Sequence, residues 1–364
     1  MSSLDFLSIL PILILGGTSI LVMLAVAIHR NHAITATVTA AGLCGAFASL
    51  WPAYYAGTRQ VTPLLWIDTY ALFFTGLAIA ASLATTVLCY GYLERHEVDR
   101  DEIYILLLIA TLGAAVLASS IHFASFFLGL ELLSVPLYAM IAYLRRGNES
   151  IEAGIKYLIL AAAAASFLLF GMALVYAETG SLAFDAVRTA LSAGGAGYSL
   201  PAMALIITGI GFKLAVVPYH MWTPDVYEGA PAPVTAFIAT VSKGAMVALL
   251  MRFFLGSDAT GPAATPTLFA VIAVASMIAG NLLALLQTNV KRLLAYSSIA
   301  HLGYILVAFL AVGATAAVAV GFYLVAYFVT TLAAFGVIAE RSGPADWEVP
   351  RRYARPACHR GSAA

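Results

Sequence analysis

Charge is scarce in this 364-residue chain: Asp, Glu, Lys and Arg together make up 10% of it, against about 25% in soluble domains. With 62% apolar residues and a mean hydropathy of +0.95, too little polar surface remains to cover a water-soluble globule. The 18 basic and 18 acidic residues cancel, so no net basic field exists with which to hold nucleic acid. Cysteine is rarer still. Cys44, Cys89 and Cys358 lie far apart, with no CxxC pair and no histidine at metal-ligand spacing, which excludes a disulfide framework and an iron–sulfur site. Phosphate loops, a strand-to-helix GxGxxG, HExxH and GxSxG are all missing. The chain is therefore not expected to bind NADH or any other nucleotide; the SKG at Lys243 sits in an apolar run, not in a phosphate-binding loop.

What the sequence does have is long apolar runs. A bilayer-spanning helix needs about 20 apolar residues at 1.5 Å rise each, and on that ruler eleven spans are predicted: 7–28, 33–56, 69–92, 103–120, 122–144, 153–177, 199–226, 232–254, 265–287, 293–312 and 315–339. The run from Leu7 to Ile28 lacks a preceding basic stretch and a small-residue cleavage site, so it reads as a retained helix, not a signal peptide. The connections are short and polar, as in ERHEVDRDE from Glu94 and RRGNESIE from Arg145. An all-α polytopic membrane protein follows.

Lysine and arginine are retained on the cytoplasmic side of short loops. With the N-terminus outside, that side holds twelve of them: Arg30, Arg95, Arg100, Arg145, Arg146, Lys291, Arg292, Arg341, Arg351, Arg352, Arg355 and Arg360. The opposite side holds three, Arg59, Arg188 and Arg252. The bias supports both the span count and a periplasmic N-terminus. The other three basic residues, Lys156, Lys213 and Lys243, fall inside predicted spans.

Two segments depart from plain spans. Residues 181–193 (SLAFDAVRTALSA) repeat apolar residues at helical spacing opposite Asp185 and Arg188 and are too short to cross, so they are expected to lie along the outer interface. The span at 199–226 carries Pro218 and Pro224. Proline removes a donor and clashes with the preceding turn, so this helix should break near mid-membrane, where freed backbone groups need a polar lining. Broken helices are typical of transporter sites, although no strong self-similarity links 103–254 with 265–340.

A charge at the bilayer centre costs about 2.5–3.5 kcal/mol on insertion scales, so the four intramembrane charges need a reason. One is an acid, Glu131; three are Lys156, Lys213 and Lys243. Burial makes the lysine ammonium easier to deprotonate and a neighbouring carboxylate opposes this, so a row of lysines beside one glutamate can exchange protons near neutral pH. The alternative is a static buried ion pair that fixes helix register; the excess of lysines over acids argues against it. His220, seven residues beyond Lys213, would share its face on a continuous helix, and His301 lies well inside the tenth span. Histidine suits proton shuttling, but each could equally be a hydrogen-bonding helix contact. His29, His32, His96, His122 and His359 sit at span ends, in loops or in the tail and receive no role.

The runs FLGLELLSVPLYAMIAYLRRG, GIGFKLAVVPYHMWTPDVYEGAPAPVTAFIATVSKGA and GNLLALLQTNVKRLLAYSSIAHLGYILVAF resemble the subunit N family of bacterial NADH-quinone oxidoreductase (respiratory complex I), the counterpart of mitochondrial NADH dehydrogenase subunit 2. The resemblance covers about residues 5 to 340. Related subunits L and M and the sodium/proton antiporter subunits share the P-x-H-x-W-x-P-D-like segment and KRLLAYSSI, whereas VYEGAPAPV followed by a lysine is more like subunit N. The resemblance implies an antiporter-like bundle of two inverted five-helix repeats, each with one broken helix, and a proton path along a central polar axis. It assigns Glu131 to the fifth helix, Lys156 to the sixth, Lys213 to the first broken helix and Lys243 to the eighth. It also implies that NADH, FMN, iron–sulfur clusters and quinone belong to other subunits, that no cofactor binds here, and that the partners are other membrane subunits, lipid and protons in the bacterial inner membrane.

On this reading residues 1–100 form three N-terminal helices, 103–254 the first repeat, 265–340 part of the second, and 341–364 a basic tail. That tail, RSGPADWEVPRRYARPACHRGSAA, holds five arginines and three prolines and no spanning run, where the family continues with three helices. It is expected to be an aberrant end, with a short basic-tailed paralogue as the alternative. The competing functions are a sodium/proton antiporter or membrane-hydrogenase subunit, and a scaffold that moves no ions.

Overall fold

A computed structural model describes residues 2–96, 101–144, 148–192, 197–255, 264–311 and 314–342. The tail reading at 343–364 lies outside the described residues. The chain runs α1 (Ser3–Ser8), α2 (Leu10–Ile28), α3 (His32–Ala48), α4 (Leu50–Tyr55), β1 (Arg59–Thr62), β2 (Leu65–Ile67), α5 (Thr69–His96), α6 (Glu102–Ser119), α7 (Phe123–Ile141) and α8 (Asn148–Thr179). It continues with α9 (Phe184–Ser192), α10 (Ser199–Leu214), α11 (Trp222–Gly229), α12 (Ala232–Phe237), a π-helical turn (Ile238–Ser242), α13 (Lys243–Leu255), α14 (Ala264–Leu285), α15 (Val290–Leu310) and α16 (Ala314–Arg341). Among the described residues ten helical segments are long and apolar enough to cross a membrane. The seventh expected span, 199–226, is the 16-residue α10, a break and the short α11.

Hydrocarbon offers backbone groups no water, so helices that pair every amide internally are the available form. Hydroxyl side chains follow the same constraint: those of Thr18, Ser82, Thr111, Ser119 and Ser134 each donate to the carbonyl four residues back. From Ala232 to Phe254 every residue but the part-buried Arg252 is buried, whereas the other spans keep an exposed face. This segment is the central post around which the bundle packs. Small residues let helices touch backbone to backbone. A Cβ on Gly113 of α6 would come 2.4 Å from the Leu133 amide of α7 and 2.9 Å from the Gly129 carbonyl.

Among the described residues one short strand element accompanies the helices. Arg59 pairs with Ile67 and Gln60 with Trp66 in a two-stranded antiparallel hairpin. Its residues lie between spans, where water can serve the unpaired edges, and the Arg59 guanidinium reaches Asp5 at 3.4 Å. At the same end, Arg252 at the foot of α13 grips Asp68 at 2.7 and 3.1 Å, donates to the Ala118 carbonyl and lies 4.8 Å from the Tyr70 ring. The expected interfacial helix is α9. Its Phe184 is buried against Phe123 and Phe253, and its Arg188 donates to the carbonyls of Arg252 and Phe253 and pairs with Asp185.

The break forms as expected. α10 stops at Leu214, and Ala215 takes the left-handed conformation (φ 59°, ψ 39°). The freed backbone is then served by side chains: the Phe212 carbonyl accepts from the Trp222 indole at 3.0 Å and the Val217 amide donates to Ser276 at 2.9 Å.

Replacing Gly113 by Ala forces α6 and α7 apart against backbone atoms and should cost about 1–3 kcal/mol, read as a lowered thermal midpoint in detergent. Gly17→Ala meets nothing within 4 Å and should leave that midpoint unchanged.

Candidate functional site: two buried lysines on hydroxyl partners

Lys213 sits in the last turn of α10 and is 4% exposed. The negative end of the half-helix dipole lies beside it and favours a cation there. Its Nζ donates to Ser134 Oγ at 2.8 Å and to the Tyr157 hydroxyl oxygen at 3.0 Å. Because the Ser134 proton is already given to the Leu130 carbonyl at 2.6 Å, Ser134 is fixed as an acceptor. Among the described residues Lys213 is the only hydrogen-bond partner of the Tyr157 hydroxyl, so the phenolic proton is uncommitted. Glu131, one turn before Ser134 on α7, is half-buried and close enough to feel the Lys213 charge. Glu131, Ser134, Tyr138 and Lys213 line one cavity of about 20 Å³, room for a single water.

Lys243 opens α13 directly after the π-helical turn and is 1% exposed. Such turns often mark functional positions in helices, because the extra residue re-aims the side chains that follow. Lys243 Nζ donates to Ser298 Oγ at 2.7 Å, and Ser298 shares a 2.6 Å hydrogen bond with the Tyr327 hydroxyl. Tyr227 of α11 also donates to Ser298, at 3.4 Å. One turn further along α15, His301 Nδ1 lies 2.7 Å from the Tyr323 hydroxyl, and its ring centroid is 5.2 Å from that of Tyr327.

The short helix α11 touches both clusters. Trp222 at its start packs on Tyr157, with ring centroids 4.8 Å apart, while Tyr227 near its end reaches Ser298. Neither lysine is paired with a carboxylate among the described residues. An ammonium and an amine both keep N–H groups to donate, so these hydroxyl oxygens can accept from either form, whereas a carboxylate partner strongly favours the charged one.

The other expected residues fall differently. His220 lies in the turn after the break, 9% exposed, with its Nδ1 buried and unpartnered. The helix has ended by Leu214, so His220 does not share the face of Lys213. Lys156 is farther from its expected surroundings: its side chain is 44% exposed and pairs with Glu152 at 2.7 Å and Asp225 at 3.0 Å, not with Glu131 or Lys213. Its neighbour Tyr157, about 100° around the helix, is the one that faces in. Sequence reasoning missed Ser134, Tyr157, Ser298 and Tyr327. Their signal was spacing: Ser134 follows Glu131 by three residues and Ser298 precedes His301 by three, each pair on one helix face.

Residues 120–345 match the family described as NADH:quinone oxidoreductase/Mrp antiporter, TM. The chain belongs to this family. Among solved structures, a chain of respiratory complex I from Thermus thermophilus with bound aureothin is 38% identical, with a TM-score of 0.78 over 92% of this chain and 71% of that one. A chain of an archaeal membrane-bound sulfane sulfur reductase is 25% identical, with a TM-score of 0.77 over 92% of this chain and 70% of that one. A chain of the Mrp complex from Dietzia sp. DQ12-45-1b shares the fold at 21% identity, with a TM-score of 0.78 over 93% of this chain and 65% of that one. In this family setting the two lysine clusters lie within the matched region, as do the break and the π-helical turn.

Ser298→Ala removes the oxygen on which Lys243, Tyr227 and Tyr327 converge. It should lower stability by about 1–3 kcal/mol, the scale for stranding a buried polar group. Thermal unfolding beside Ser297→Ala, one position away in α15, measures the effect.

Proposed function

We propose that the chain is a proton-translocating, antiporter-type membrane subunit of an NADH-quinone oxidoreductase in the bacterial inner membrane. NADH, FMN, iron–sulfur clusters and quinone belong, on this reading, to its partner subunits. Residues 103–254 are read as one five-helix repeat and 265–340 as three helices of a second. The observation that carries the proposal is the pair of buried lysines held by hydroxyls. Lys213 and Lys243 are both almost fully enclosed, yet each is bonded to neutral groups that serve its charged and uncharged forms alike.

In this reading Glu131 sets the electrostatics of the first site. A proton on Lys213 is stabilised when the Glu131 carboxylate is charged and is released when that charge is compensated from elsewhere in the complex. The 20 Å³ cavity between them admits one water to complete the connection. Tyr157, with its uncommitted proton, is the group through which Lys213 exchanges. At the second site Ser298 passes the hydrogen-bond connection from Lys243 to Tyr327, with His301 and Tyr323 beyond.

A complex I assignment is favoured over a sodium/proton antiporter subunit by identity, 38% to the Thermus thermophilus chain against 21% to the Dietzia chain. In inverted membrane vesicles, Lys213→Ala and Lys243→Ala should each cut NADH-driven proton uptake per assembled complex by at least about tenfold. Tyr157→Phe keeps the ring packing and removes only the hydroxyl, so it should slow uptake roughly three- to tenfold. Undiminished uptake in an assembled Lys213→Ala complex would remove Lys213 from the proton path.

A further inference from the structure

We infer that Lys156 is a positioning residue: with Asp225 and Arg292 it latches α11, the far half of the broken helix, to α8 and α15, and it need never lose its proton. Three helices meet there in one chain of ion pairs. From α8, Lys156 Nζ reaches Glu152 at 2.7 Å on its own helix and Asp225 at 3.0 Å on α11. From α15, Arg292 donates one terminal nitrogen to Asp225 Oδ1 at 2.7 Å and to Glu228 Oε2 at 2.9 Å. The two oxygens of Asp225 thus bind two different helices. Asn289 donates to the other oxygen of Glu228 at 2.7 Å, and Lys291 Nζ donates to the carbonyls of Glu228 and Ala230 at 3.2 and 2.9 Å, closing the C-terminal end of α11.

The latch matters because α11 is held only from outside itself: its apolar side is buried through Trp222, Val226 and Tyr227, and the ion pairs fix its polar side. It has eight residues, begins after a break and ends at Ala230 and Pro231. An isolated helix of that length is not stable, so tertiary contacts must fix it. What it carries is the Trp222 ring against Tyr157 and the Tyr227 hydroxyl at Ser298, hence the surroundings of both buried lysines. The side chains are part-exposed, with Lys156 at 44%, Asp225 at 39% and Arg292 at 28%, and Lys156 and Asp225 border an open, carboxylate-lined cavity of about 190 Å³. Single exposed pairs contribute little, but a network of several charges on three elements contributes more. A residue two turns into its helix can also extend its stem toward the polar end of the span, which is how a lysine that looks intramembrane in sequence comes to sit among carboxylates.

The inference rests on the proton-translocating reading only for its assay. Arginine does not deprotonate in proteins but can engage two carboxylates, so it separates a latch from a relay. In vesicles containing the assembled complex, Lys156→Arg should retain proton uptake within about twofold of wild type, whereas Lys156→Met should lose roughly fivefold. Asp225→Asn, which keeps volume and removes the shared charge, should match Lys156→Met. If the two neutral variants fail to appear in the assembled complex while Lys156→Arg does, the latch is equally supported. Loss in Lys156→Arg as deep as in Lys156→Met would overturn it, as would wild-type uptake by Lys156→Met. Lys213→Arg is the companion measurement: full uptake there would defeat the relay reading of Lys213 and leave the latch standing.

Discussion

The structure depends on one constraint: the hydrocarbon layer supplies no hydrogen bonds, so each polar group at that depth must be answered by another part of the chain. The regular helices meet it through their own amides, and their serines and threonines through the carbonyls four residues back. The break between α10 and α11 meets it with an indole and a serine. The two enclosed ammonium groups meet it with phenols and serines. Fold and candidate site answer to the same requirement here, because hydroxyls make the buried charges tolerable as carbonyls do the hydroxyls.

Much of this was legible in the sequence, for physical reasons that differ by element. Apolar runs of about 20 residues have few meanings other than a bilayer span, so the span order emerged nearly intact. Pro218 and Pro224 marked the break because a proline cannot donate its missing amide. Lys213 and Lys243 stood out because an ammonium at that depth is costly. The family resemblance read from the VYEGAPAPV and KRLLAYSSI runs agrees with the family to which the chain belongs.

What was not legible has equally physical reasons. His220 would share the face of Lys213 only on a continuous helix, and the left-handed Ala215 ends that helix. Lys156 lies closer to a helix end than the other intramembrane charges, and its flexible stem lets the ammonium sit among carboxylates away from them. Ser134 and Ser298 had only their spacing from Glu131 and His301 to mark them, and Tyr157 and Tyr327 are distinguished only by where they meet the lysine clusters in three dimensions. The π-helical turn before Lys243 leaves no compositional trace at all, since Ile238 to Ser242 reads as ordinary helix.

The contact of one short helix with both clusters constrains how they behave together. Eight residues of helix are only about 12 Å long, so Trp222 and Tyr227 are opposite ends of a single stiff rod. Any tilt of that rod changes the walls of two binding sites in one motion.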